Sequence, residues 1–211
     1  MKPVLDYRVY LVTDTVYFND DNIWNKMEAA LRGGVTLVQY RDKTQESRVL
    51  YERALKMKAL CDKYKVPMLV DDRADIAFAV GAAGVHVGQS DLPAEVARRM
   101  LGADAVIGVS AHNAEEALAA EAAGADYLGC GAVYPTGTKK DTSVIGVEGL
   151  KAIRTVTKLP FVGIGGVTLA NYRDVLIAGA SGAAIVSAIL SANDIESTVQ
   201  KFVQLSLGKN K

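Results

Sequence analysis

Cysteine is scarce in this chain. Of 211 residues only Cys61 and Cys130 carry a thiol, far apart and without Cys-x-x-Cys spacing. That pattern argues against a disulfide framework and against a zinc site. Charge of one sign is missing too: 24 basic side chains balance 24 acidic ones. Proteins that grip nucleic acid or a membrane surface carry a basic excess, so neither is an expected partner, and any row of cations here must act locally. Long apolar runs are also absent. None approaches the roughly 20 residues of a membrane span, and the apolar run at 9–12 is too short for the core of a signal peptide. Nothing marks a linker, a low-complexity tract or a composition shift. These absences describe one soluble domain over 1–211, expected in a reducing compartment and assigned to the cytoplasm.

What is present is half hydrophobic, enough for a large core, and it is arranged in a recurring unit. An amphipathic stretch runs into a Gly or Ala-Gly stop, and a short Val/Ile-rich run follows. The unit recurs at Arg32-Gly33-Gly34 before Val35, at Gly81-Ala82-Ala83-Gly84 before Val85, at Ala122-Ala123-Gly124 before Ala125, and at Ala178-Gly179-Ala180 before Ala183. Glycine is favoured just past a helix end because it accepts left-handed backbone, so each unit reads as a helix stopping and a strand starting. The spacing predicts strands at 8–13, 35–40, 68–71, 84–87, 106–109, 127–130, 161–164 and 183–186. Helices are predicted at roughly 22–32, 47–64, 74–81, 93–101, 114–123, 147–156, 168–178 and 194–206. Strict alternation implies a parallel sheet covered by helices. Eight repeats point to an α/β protein, a compact (β/α)8 TIM barrel, with an open doubly wound sheet as the rival. In such a barrel the chemistry belongs to the C-terminal strand ends.

At the end of the second strand, Gln39, Arg41 and Lys43 share a face, because a strand has a side-chain period of two. They put a neutral hydrogen-bonding head and two cations on one wall, which suits a phosphorylated ligand. The bland alternative is that both cations fan into water or pair with Glu46 and Asp42. The third strand ends Asp71-Asp72-Arg73, adjacent carboxylates that repel unless a cation is near. Mg²⁺ takes one or two carboxylates plus phosphate oxygens, so one Asp is expected to bind it and the other to cap the next helix. Asp91, beyond the fourth strand, is a second metal carboxylate or a helix start. His86 reads as a hydrogen-bonded barrel histidine and not a base, and His112 is read the same way. Ser110 could bond a substrate or cap the helix near Asn113; no base accompanies it, which discounts a nucleophile. Cys130 reads as barrel filling. The loop Thr136-Gly137-Thr138-Lys139-Lys140 sets hydroxyls and an amide beside cations. Gly165-Gly166 and Val186-Ser187, at the seventh and eighth strand ends, complete a second anion site.

In chain order, Gln39-Tyr40-Arg41-Asp42-Lys43, Asp71-Asp72-Arg73-Ala74-Asp75, Gly84-Val85-His86-Val87-Gly88-Gln89 with Asp91, Gly108-Val109-Ser110, Pro135-Thr136-Gly137-Thr138-Lys139, Gly165-Gly166 and Val186-Ser187 resemble the thiamine-phosphate synthase family. The resemblance implies that a hydroxymethylpyrimidine diphosphate and a thiazole phosphate, the two expected small-molecule partners, combine with the help of Mg²⁺ to give thiamine phosphate and diphosphate. It assigns Gln39, Tyr40, Arg41, Asp42, Lys43, Asp71, Ser110 and Lys139 to the pyrimidine diphosphate. Asp72 and Asp91 go to Mg²⁺, and Thr136, Gly137, Thr138, Gly166, Val186 and Ser187 to the thiazole phosphate. Arg41, Lys43, Ser110 and Lys139 carry the catalytic expectation. The family pattern has Asn before the metal Asp; here that position is Asp71. Association into a homo-oligomer is left open.

Two other readings of the same motifs stand beside this one. A thiazole tautomerase on the same barrel would need no diphosphate and metal half-site. A regulatory barrel that senses a phosphorylated ligand would lack the metal carboxylates or the 135–139 loop.

Overall fold

The computed structural model describes residues 2–19, 22–137 and 143–208. Eight strands close a barrel in chain order: β1 (Val9–Val12), β2 (Leu37–Tyr40), β3 (Met68–Asp71), β4 (Gly84–Val87), β5 (Val106–Ala111), β6 (Tyr127–Gly131), β7 (Phe161–Ile164) and β8 (Gly182–Ile185). Each neighbouring pair is parallel, and β8 returns to β1 with Val9 opposite Ala183 and Leu11 opposite Ile185. That last pairing closes the ring and removes the open-sheet rival. Parallel neighbours need long crossovers. These are supplied by α1 (Ile23–Gly33), α2 (Ser47–Lys63), α3 (Ala74–Ala79), α4 (Ala94–Leu101), α5 (Ala114–Ala122), α6 (Gly146–Val156) and α7 (Tyr172–Ile177). After β8 come a one-turn α8 (Ser187–Leu190) and then α9 (Ile195–Leu207). The helices predicted from periodicity include neither α8 nor the 3₁₀ turn at Thr15–Asn19; both are too short to show a hydrophobic period.

The glycine stops behave as expected. Gly34 closes α1 at φ +103, its N–H reaching back to the carbonyls of Ala30 and Leu31. Strand parity then sorts the core into two layers. Val9, Leu11, Val38, Tyr40, Met68 and Val70 face the helices, while Tyr10, Val12, Leu37, Leu69, Val106, Tyr127, Val162 and Ala184 pack inside the barrel. Cys130 lies in the helix-facing layer, fully buried, so it fills the space under the helices and not the barrel interior, and burial pushes its thiol up to about 12. Among the described residues no helix is long and apolar enough to cross a membrane.

Candidate active site

The barrel opens at its C-terminal strand ends into a cavity that takes in Gln39, Arg41 and Lys43 from one wall. The parity that puts Leu37 inside the barrel carries these three along with it. Arg41 is fixed at both ends. Its backbone N–H donates to Thr13 Oγ1 at 2.8 Å and its carbonyl accepts from the same hydroxyl at 3.0 Å. Its guanidinium forms a close ion pair with Asp14 and sits 3.3 Å from Asp71 Oδ2. Lys43 Nζ lies 2.5 Å from Asp72 Oδ2 and 3.6 Å from Asp71 Oδ2. Neither cation pairs with Glu46 or Asp42. Asp14 escaped the sequence reading, although its place just past β1, the neighbour of β2, was the available signal.

Two residues assigned to the pyrimidine diphosphate do not reach the cavity. Tyr40 and Asp42 have the opposite parity. Tyr40 packs edge-on against Phe18, ring centres 5.5 Å apart. The Asp42 carboxylate is fully buried against Arg53 at 2.7 Å. Both belong to the packing that holds the strand end.

Asp71, Asp72 and Asp91 line the cavity beside the cations. The expectation that one of the Asp71–Asp72 pair caps the next helix fails: Arg73 takes the N-cap position of α3, and no side chain bonds there. Both carboxylates are left for the cavity. Asp72 turns into it from a left-handed backbone, φ +58, a conformation that Asp tolerates better than most residues. Asp91 does not cap α4 either; its Oδ2 accepts from the Gly88 N–H at 2.8 Å.

Burial is the largest influence on Asp71 and pushes its carboxyl up to about 7, with the charges of Asp72 and Asp91 adding to the rise and Lys43 and Arg41 opposing it. Asp72 is also raised, first by burial and then by its close approach to Asp91, against the Lys43 hydrogen bond. Lys43 is itself raised: burial works against its charge, but Asp72 and Asp71 more than offset that. Facing carboxylates held above their ordinary range are what a hard cation relieves. Among the described residues no cluster of three or more His, Cys, Asp or Glu could hold a metal. A cation here would have Asp72 and Asp91 from the protein and complete its shell from phosphate oxygens and water, the habit of Mg²⁺.

Across the cavity stand Thr136, Gly165, Gly166, Val186 and Ser187. Gly165 and Gly166 have φ of +94 and +65, so the turn presents backbone without side chains. A Cβ on Gly166 would come within 2.6 Å of the Pro135 carbonyl oxygen. Gly137 is exposed on the adjoining loop and is not among the lining residues. Thr138 and Lys139 lie outside the described residues.

Beneath the charged rim the barrel interior is polar along one line. Gln39 Nε2 donates to Tyr10 OH at 2.7 Å, and Tyr10 and Tyr127 hydroxyls are 2.8 Å apart. Tyr127 OH is 2.8 Å from His86 Nδ1, whose Nε2 is 3.0 Å from Ser110 Oγ. His86 is thus a hydrogen-bonded barrel histidine. Ser110 caps nothing, since Asn113 itself caps α5 by accepting from the Glu116 N–H at 2.8 Å. His112 also lines the cavity, with Nδ1 held 2.7 Å from Glu116 Oε2. Tyr10 and Tyr127 were missed by the sequence reading; an aromatic alternating with Val and Leu on a strand looks like ordinary core.

Fold and mouth together define a (β/α)8 barrel with cations and paired carboxylates on one side of its cavity and a bare glycine turn on the other. The comparisons make this specific. The thiamine monophosphate synthase family profile matches residues 9–189. The thiamine-phosphate synthase of Ruminiclostridium cellulolyticum is 46% identical over 209 residues, 99% of this chain and 100% of that protein. That of Clostridium acetobutylicum is 48% identical over 192 residues, 91% of each. The solved thiamine phosphate pyrophosphorylase from Pyrococcus furiosus aligns with a TM-score of 0.87 at 38% identity over 96% of both chains. The chain belongs to the thiamine monophosphate synthase family, transferases of thiamine biosynthesis.

Proposed function

We propose that this enzyme condenses 4-amino-2-methyl-5-hydroxymethylpyrimidine diphosphate with hydroxyethylthiazole phosphate, releasing thiamine phosphate and diphosphate. One observation carries the reading: a single cavity is lined on one side by Arg41, Lys43, Asp71, Asp72 and Asp91 and on the other by Thr136, the Gly165–Gly166 turn, Val186 and Ser187. The first wall suits a diphosphate with its metal, the second a monophosphate, and the space between them is shared.

The reaction breaks the bond between the pyrimidine methylene carbon and the diphosphate oxygen. The electron pair leaves with diphosphate. The thiazole nitrogen then supplies the pair that forms the new carbon–nitrogen bond, and no proton is gained or lost. No protein nucleophile is needed. The chain's task is to stabilise charge growing on the leaving diphosphate, which preorganised cations do well in a partly dehydrated site. Arg41 and Lys43 fill that role, held ready by Asp14, Asp71 and Asp72; Lys139 joins them by the family resemblance. Asp72 and Asp91 would hold Mg²⁺, which when bound would add to the neutralisation of the diphosphate. Gln39 and Ser110 take the organic half of the pyrimidine. The buried free thiols of Cys61 and Cys130 suit the reducing cytoplasm, where we place the reaction.

The test is direct. Purified enzyme given both substrates and Mg²⁺ is expected to form thiamine phosphate and diphosphate in equal amounts. Failure to form thiamine phosphate with both substrates and Mg²⁺ present refutes the reading, and turnover of the thiazole phosphate alone would replace it with an isomerase. Arg41→Ala is expected to weaken the grip on the pyrimidine diphosphate; unchanged affinity removes Arg41 from that role.

A further inference from the structure

We propose that Tyr10, Tyr127 and His86 form a one-way hydrogen-bond chain that sets the polarity of the two pyrimidine contacts, making Ser110 a donor and the Gln39 carbonyl an acceptor. The inference rests on the proposed pyrimidine substrate for its purpose, but not for its geometry.

The direction follows from counting protons in a buried row. An amide nitrogen can only donate, so in the Gln39–Tyr10 bond the phenol oxygen accepts. Tyr10 is almost completely buried, and its own proton has one place to go, the Tyr127 oxygen. A buried hydroxyl left undonated is costly. That line being taken, Tyr127 must give its proton to His86 Nδ1. An Nδ1 that accepts carries no proton. His86 is therefore neutral and protonated at Nε2, which donates to Ser110 Oγ. Ser110 is left with its O–H to offer the cavity, and Gln39 with its Oε1. Burial keeps both phenols protonated, well above their ordinary range.

The backbone is shaped around this row. A Cβ on Gly108 would fall 2.3 Å from the Tyr127 ring and 2.5 Å from His86 Nδ1, and one on Gly129 would fall 2.9 Å from His86 Cε1. Glycine at these two inward positions is what allows both rings to lie in the barrel and meet. An aminopyrimidine presents ring nitrogens that accept and an exocyclic amine that donates. A donor at Ser110 and an acceptor at Gln39 match that pair; the reversed chain would offer Ser110 as an acceptor and only N–H groups from Gln39. Tyr10, Tyr127 and His86 are thus positioning residues, acting through Gln39 and Ser110.

Two measurements test this. Long-range ¹H–¹⁵N spectra of the wild-type enzyme without substrate report the tautomer of its two histidines, assigned with His112→Gln. His86 is expected as the Nε2–H form. The Nδ1–H form or the imidazolium overturns the proposal, whatever the enzyme's substrate proves to be. The second measurement is a kinetic double-mutant cycle. Tyr127→Phe is expected to lower kcat/KM for the pyrimidine diphosphate about tenfold, the scale of one hydrogen bond, while KM for the thiazole phosphate stays unchanged. In a Ser110→Ala background the same change should have a smaller effect, because one of its two paths to the substrate is already cut. Additive losses, or equal losses for both substrates, would mean that Tyr127 only supports the core and would overturn the positioning role. Should Tyr127→Phe fold poorly, Tyr10→Phe in the same cycle with Gln39→Ala answers the question from the other end of the chain.

Discussion

Asp71→Asn should stabilise the enzyme at neutral pH and leave it nearly unchanged in acid. The Asp71 carboxyl, buried beside Asp72 and Asp91, is raised from 3.8 to about 7. A group whose folded pKa exceeds its unfolded one binds more protons in the folded state between the two values. Its contribution to stability is whole below about pH 4 and is lost progressively as pH rises to about 7. Three pKa units correspond to about 4 kcal/mol at 1.36 kcal/mol each, the upper limit of what the ionised carboxylate costs the metal-free fold. Asparagine keeps the shape and cannot ionise, so the variant loses this slope. With a urea m-value of about 2–3 kcal/mol/M, the variant's midpoint in EDTA should exceed the wild type's by about 1–2 M at pH 7.5 and match it at pH 4. The assay is equilibrium unfolding at several pH values without divalent metal. Parallel stability curves for the two proteins between pH 4 and 7.5 would refute the reasoning, since Asp71 would then ionise without cost. The outcome bears on function as well. The family resemblance leads one to expect Asn at this position, and Arg41 and Lys43 give Asp71 only long contacts of 3.3 and 3.6 Å.

Mg²⁺ with inorganic diphosphate is expected to raise the melting temperature more than either alone, and Asp91→Asn to abolish the joint effect. At a hundred times the dissociation constant the wild type should gain about 2.7 kcal/mol; an undiminished shift in the variant removes Asp91 from the metal site. Gly166→Ala must hold a left-handed backbone and press its methyl toward the Pro135 carbonyl. Steady-state kinetics should show kcat/KM for the thiazole phosphate falling about 10–100-fold as the turn shifts, with KM for the pyrimidine diphosphate little changed; equal effects on both would be the contrary result. Arg53→Ala strands the Asp42 carboxylate, whose side chain has 0% exposure, and should cost about 3 kcal/mol in urea unfolding. A loss under about 1 kcal/mol would show that the pair does not anchor the end of β2.

Several features needed only local sequence. Alternating Val/Ile runs and glycine stops announce strand and helix because both periods are properties of the backbone itself. The same period of two put Gln39, Arg41 and Lys43 on one face, and the structure keeps them there. Applied strictly, it would also have turned Tyr40 and Asp42 away, which the motif resemblance had swept in with their neighbours. Ring closure was another matter. Whether eight strands curl or lie open depends on β8 meeting β1, a pairing between the two ends of the chain that no local pattern contains.

The partners of the site residues were decided by the tertiary structure as well. Arg41 finds Asp14 across 27 positions, and Tyr10 finds Tyr127 across 117. A hydrogen bond needs two atoms within about 3 Å, and only the folded barrel brings such distant residues that close. The sequence by itself determined which residue types stand at the strand ends and which way most of them point. The closed fold decided which of them touch, and with that which carboxylates crowd together and which way the protons in the barrel run.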